Sequence, residues 1–227
     1  MNIIGVDTSA AYCSVGVAGE TINPLERHEP VGNEFNETLF ELLNDALTQA
    51  GLEKHSINGI AVNIGPGSFT GIRVGLSAAK GLAYSMGVPI TGVPAYEALA
   101  YKVDPKDFPL CCIIPLKGEK ISHLIYKSPD VPGGSEAGKT DTWDDLIQKL
   151  QGIKCICGDI PDEKVHLLKI NVSPDVSVIK RKPSGIVIAE VGMQKLQRGV
   201  FDDLVSLSPI YVHAAAFRKQ MPLKGRK

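Results

Sequence analysis

NIGPGSFTGIRVGLSAAKGLA occupies residues 63–83, and its reading decides the architecture. An apolar strand pattern at 60–64 leads into Gly65, Gly67 and Gly71, and a small-residue helix pattern follows from 68 to 86. A strand, a glycine turn and a helix start make a place where anions bind, because the first-turn amides of a helix have no partner inside it. The phosphate signatures nevertheless fail. A Walker loop needs lysine after its last glycine, and Ile72 stands after Gly71. A dinucleotide fingerprint needs a third glycine where Thr70 stands, and lacks its later acidic residue. Ser68 has the wrong glycine spacing for a nucleophile elbow and sits where a helix cap belongs.

At about 100° per residue, Ile72, Leu76, Ala79, Ala83 and Met86 fall on one side of this helix as a core face. Beside them runs a bare strip, Gly71, Gly75, Ala78 and Leu82, and Arg73, Ser77, Lys80 and Tyr84 make the polar side. Mid-helix glycines cost roughly 1 kcal/mol each, so Gly71, Gly75 and Gly81 imply a return. That return is close backbone approach, either by another chain or by the helix's own sheet. Packing arguments alone leave both open.

Outward from this stretch, strand patterns at 3–6, 13–18 and 22–27 form a meander. Phe35, Leu39, Leu42, Leu43, Ala46, Leu47 and Ala50 then make one apolar helical stripe, with Asn33 as its cap and Gly51 at its end. A strand at 88–93 and a helix start at 94–101 complete a β-α-β-α series, which implies parallel additions to the meander. A boundary falls at 104–107, dividing lobes at 1–103 and 104–227. The second lobe reads as a hairpin of 110–116 and 121–126 around Gly118, a Pro- and Gly-rich loop at 131–139, a helix at 143–150 and a strand at 155–158. Its last helix is capped by Ser184, faces inward with Ile186, Ala189, Met193 and Leu196, and is expected to pack back on the first lobe.

Among 227 residues, 24 basic and 25 acidic side chains leave no global field to draw nucleic acid or a membrane. The exception is 217–227, with Arg218, Lys219, Lys224, Arg226 and Lys227, which reads as a solvated basic tail. The sequence enters its first strand pattern without a charged, apolar leader, and its longest apolar run is far too short for a membrane span. A cytoplasmic protein is expected, with Cys13, Cys111, Cys112, Cys155 and Cys157 as free thiols. Cys155 and Cys157 share a strand face.

IIGVDTSAAYCSVGV, the helix ending in ALTQAGL, GPGSFTGIRVGLSAAKGLA and GVPITGVPAYEALA together resemble the TsaB (YeaZ-type) family. The likeness is dense over residues 1 to about 100 and thin beyond. It implies an α/β protein of the actin-like, Hsp70-like kinase (ASKHA) fold, with two ribonuclease-H-like lobes and mixed sheets. It also implies a non-catalytic dimerisation subunit for making threonylcarbamoyladenosine in tRNA. Such a subunit pairs with a catalytic TsaD-type paralogue, or with itself as a homodimer, and a TsaE-type P-loop ATPase joins the pair. Contact with tRNA is then indirect, through the complex. The implied interface is Phe35, Leu39, Gly71, Arg73, Val74, Gly75, Ala78 and Leu82. The His-Ser that family members carry at the first helix is Phe35-Asn36 in this chain.

A catalytic reading is weaker. His28, His55, His123, His166 and His213 include no H-x-x-x-H pair, so neither the metal ligands of the paralogue nor a metallopeptidase site is expected. Asp7, Thr8 and Ser9 match the first phosphate turn of actin-like kinases, and Gly65 and Gly67 lie in the neighbouring loop. The second acidic turn is missing from CCIIPLKGEK, and the PGGSEAG glycines have no strand before them. A stand-alone ATPase or kinase is the alternative. No cofactor is required, and weak ATP or ADP binding with Mg²⁺ at Asp7 stands beside a plain turn-forming role.

Overall fold

The computed structural model describes residues 1–30, 35–129 and 138–212. The proposed Asn33 cap, most of the PGGSEAG loop and the basic tail lie outside the described residues, as does the Phe35 side chain.

The first lobe opens with β1 (Asn2–Asp7), β2 (Tyr12–Gly19) and β3 (Leu25–Pro30), followed by α1 (Phe35–Gln49). β4 (Gly59–Gly65), α2 (Phe69–Met86), β5 (Ile90–Pro94) and α3 (Ala95–Ala100) come next. β1 is fully buried after its first residue, the pattern of a strand covered on both faces. The sheet order is β3-β2-β1-β4-β5, antiparallel through the meander and parallel from β1 to β5. The predicted helix start at 68 is the Ser68 cap, whose Oγ accepts from Gly71 N, and Gly87 closes α2 in the left-handed region.

The second lobe repeats the plan. β6 (Leu110–Pro115), β7 (Lys120–Tyr126) and β8 (Lys139–Thr142) form a meander, followed by α4 (Trp143–Ile147), β9 (Cys155–Gly158), α5 (Asp162–Asn171), β10 (Ser177–Lys180) and α6 (Gly185–Gln197). Its order, β10-β9-β6-β7-β8, has the same connectivity as the first sheet. Two mixed-sheet α/β lobes result.

Four apolar clusters fill the layers. α1 and α2 pack on one face of the first sheet around Leu39, Leu43, Ala46, Leu76, Ala79 and Ala83. α4 and α5 pack on the outer face of the second sheet around Trp143, Leu146 and Leu168. Between the lobes the last helices cross over. α3, which follows β5, packs on the second sheet through Tyr96, Leu99 and Ala100, against Leu110, Cys112, Cys155 and Cys157. α6, which follows β10, packs on the first sheet through Ile188, Ala189, Val191 and Leu196, against Ile3, Ala18 and Ala61.

The α6 crossing is very close. A Cβ at Gly16 would collide with Gly185 and Ile186 backbone, at Gly5 with Gly185 and Ala189, and at Gly192 with Ala61. Missing side chains let the helix lie nearly on the strands. All five cysteines are buried free thiols, and burial pushes those of Cys13, Cys111 and Cys157 up to about 12.

Beyond α6 the chain straps the open edge of β5. Asp202 N donates to Ile90 O at 2.8 Å, Gly92 N donates to Asp202 Oδ2 at 2.7 Å, and Ile210 N donates to Ile64 O at 2.7 Å. The strap covers an edge that would otherwise present unpaired amides.

Candidate interlobe site and helix surface

The carboxyl end of β1 carries Asp7 into the cleft between the lobes. Asp7 Oδ1 accepts from Ser9 N at 2.8 Å and from Asn63 Nδ2 at 3.1 Å. Asn63 Nδ2 also donates to Ser9 Oγ at 3.0 Å, and its Oδ1 accepts from Gly65 N at 2.8 Å. One buried asparagine thus ties the first turn to the glycine loop. It was missed from sequence, although a lone amide inside the apolar run IAVNIG is a signal.

Asp7 is 2% exposed, and its Oδ2 has no protein partner. Burial holds its carboxyl above the usual range, against the downward pull of the Ser9 and Asn63 bonds. It lines a cavity of about 300 Å³ with Tyr12, Ser14, Glu26, His28, Lys182 and Ser184. Lys182 Nζ lies 4.7 Å above the Tyr12 ring and 4.0 Å from Asp159 Oδ1. Asp159, just past β9, faces the Ser9–Ala11 turn across a smaller cavity. CCIIPLKGEK carries no second aspartate, and the acid facing the turn comes from CICGD instead.

The rim is closed by the start of α6. Ser14 Oγ accepts from Gly185 N at 2.9 Å and donates to Glu26 Oε1 at 2.6 Å, and Ile186 N reaches the same Oε1 at 3.4 Å. Lobe one therefore caps the helix that lobe two sends back.

The bare strip of α2 resolves into two parts. Gly71 and Gly75 are buried, and a Cβ on either would meet Thr8, whose Oγ1 donates to Gly71 O at 2.7 Å. Leu39 is likewise a core side chain. Within the chain the two glycines admit the Asp7–Ser9 turn, and Leu39 faces the sheet. Gly65 and Gly67 are also spent internally, against Ile210 and Ser9, and Ser68 N donates to Ser9 O at 2.7 Å. Arg73 is exposed, while Val74, Ala78 and Leu82 are partly so. Exposed apolar side chains absent from the predicted set join them: Phe40, Phe69 and Tyr84, the last 79% exposed.

Residues 23–118 match the family model described as TsaD, tRNA N6-adenosine threonylcarbamoyltransferase. The tRNA threonylcarbamoyladenosine biosynthesis protein TsaB of Escherichia coli is 35% identical over 101 residues, 44% of this chain and 43% of that protein. Over that segment the chain is similar to TsaB. The matched segment spans less than half of that relative's length. A Pseudomonas aeruginosa crystal structure described as similar to peptidase YeaZ superposes with a TM-score of 0.73 at 18% identity, covering 93% of this chain and 99% of that one. A ROK hexokinase from Thermus thermophilus gives a TM-score of 0.50 at 11% identity, covering 87% and 100%. The fold of the chain is the actin-like one, YeaZ in type. Among the described residues no helix of it is long and apolar enough to cross a membrane, and no group of three His, Cys, Asp or Glu could hold a metal.

Proposed function

We propose that the chain is a non-catalytic partner subunit in tRNA threonylcarbamoyladenosine formation, binding and activating a TsaD-type catalytic paralogue. The observation that carries this is the 35% identity of its matched 101 residues to a TsaB protein. The absence of an H-x-x-x-H pair from the sequence and the internal use of the glycine loop agree with a subunit without its own chemistry. The docking surface is the outer side of α1 and α2, through Phe40, Arg73, Val74, Ala78, Leu82 and Tyr84. In isolation the same surface makes a homodimer, and a TsaE-type ATPase completes the assembly.

The test is reconstitution from TsaD-type and TsaE-type proteins, a threonylcarbamoyl-adenylate source and tRNA. Modified adenosine should appear only when this chain is added, and none from this chain alone. Activity that is indifferent to its presence would reject the reading.

A second reading is favoured by one atom, the unpartnered Asp7 Oδ2. An ATP or ADP with Mg²⁺ would have Asp7 for the cation and Lys182 for phosphate, the metal supplying charge neutralisation of the phosphates. Gly65 and Gly67 sit in the neighbouring loop, packed against Ile210 and Ser9. Mg-ADP should then raise the melting temperature of the wild-type chain and not of Asp7→Asn; no shift in either removes this reading.

A further inference from the structure

We propose that the interlobe cavity controls the seat of α2: a phosphate ligand taken up at the Asp7–Ser9 turn loosens the first half of that helix, and with it the docking face the helix carries. The proposal rests on the nucleotide reading of the Asp7 site and adds to it a consequence for partner binding.

The turn is closed on itself. Asp7 Oδ1 accepts from Ser9 N at 2.8 Å and from Asn63 Nδ2 at 3.1 Å, while Oδ2 stands unpartnered. A phosphate at such a turn draws on backbone amides that have no other acceptor. Ser9 N already has one, so uptake of a phosphate there takes the amide from Asp7. The turn therefore has two arrangements, one bonded to its own aspartate and one opened to the ligand, and a ligand shifts the balance toward the second.

The same residues seat α2. Ser9 O accepts from Ser68 N at 2.7 Å, and Ser68 is the helix cap, its Oγ accepting from Gly71 N at 3.2 Å. Thr8 Oγ1 donates to Gly71 O at 2.7 Å. Absent side chains let turn and helix touch: a Cβ at Gly71 would collide with Thr8 O, and one at Gly75 with Thr8 Oγ1. Thr8 is fully buried, so close packing leaves the turn no slack. Packed contacts of this kind switch between arrangements and do not flex continuously. The helix so held carries Val74, Ala78 and Leu82 of the proposed docking face. Opening the turn for a phosphate thus pulls at the bonds that hold the helix, and cavity ligand and docking partner oppose one another.

The experiment uses the whole chain. Amide exchange at Ser68, Gly71 and Ile72 is read by NMR with and without saturating Mg-ADP, and binding of a TsaD-type protein is titrated under both conditions. Mg-ADP should quicken the three amides without quickening those of α5. It should weaken the protein–protein affinity by about fivefold or more, the ordinary range for coupled sites, and the bound partner should weaken Mg-ADP by the same factor. In Thr8→Val, which loses the bond to Gly71 O, both factors should fall toward one whatever the absolute affinities. Thr8→Ser, which keeps a hydroxyl, should restore them. If Mg-ADP raises the melting temperature yet leaves the three amides and the partner affinity unchanged, the coupling is overturned and the nucleotide reading stands. No melting shift removes both together. A chain that binds Mg-ADP but no TsaD-type protein loses the scaffold reading, and exchange at the three amides still decides whether the cavity controls the helix.

Discussion

Gly75 and Gly81 lie six residues apart on α2 and differ in what a methyl group would meet. At Gly75 it meets the Thr8 side chain; at Gly81 there is open space. Gly81→Ala should therefore stabilise the chain by roughly 0.5–1 kcal/mol, from helix propensity alone. Gly75→Ala should destabilise it by about 1–3 kcal/mol through overpacking. Urea unfolding of both variants checks the pair; equal shifts would contradict the contact. Three glycines in one helix were legible as a demand for close approach, but which of them were approached, and by what, was not. That depends on a turn more than sixty residues away in sequence. Asp7 carries a prediction of its own. Its folded carboxyl titrates above its unfolded value, so the folded state holds the proton longer, and stability falls as pH rises from the usual carboxylate range through the raised folded value. Asp7→Asn should flatten that fall and be more stable than wild type at pH 7, measured by urea midpoints at pH 5 and pH 8. Parallel pH profiles for the two proteins would sink it.

The elements that sequence reading recovered are those with a long period: the apolar stripe of α1, the Ser68-capped α2 and the Ser184-capped α6. Those it missed are short or weakly patterned. β8 and β10 have four residues each, lie at sheet edges, and bury no residue fully. α5 spreads its apolar residues around the helix and fully buries Leu168 alone. The seating of α6 was expected, yet its means were hidden, because Gly5, Gly16, Gly185 and Gly192 belong to three separate elements. The clasp on its first turn gives a test at this scale. Ser14→Ala removes the acceptor of Gly185 N and the donor to Glu26, and should cost about 1–3 kcal/mol. Hydrogen exchange at Gly185 and Ile186 should quicken more than exchange in β6 or β9. Uniform quickening would show that the clasp does not act locally.

At the scale of the molecule, α1 and α2 carry the exposed aromatic residues Phe40, Phe69 and Tyr84. If the proposed homodimer forms through this face, Phe40→Asp with Tyr84→Asp should abolish it in gel filtration and leave the unfolding free energy within about 0.5 kcal/mol of wild type, as expected for surface positions. Persistent pairing would move the interface elsewhere. The interlobe site was half legible: Asp7, Thr8 and Ser9 stood out by type and position, whereas Glu26 enters from the edge strand β3, and Asp159 and Lys182 reach the cleft only from the second lobe.

The exchange of α3 and α6 between the lobes also bears on how the chain is made. On a ribosome, β1 to β5 emerge before the second lobe, yet one face of their sheet, with Ile3, Ala18 and Ala61, waits for α6, which follows the whole second sheet. Until residue 197 has cleared the exit tunnel, that face is open to water and to other nascent chains. The first lobe is thus translated early and completed late, and a messenger cut after the fifth strand would yield a sheet that no local sequence can cover.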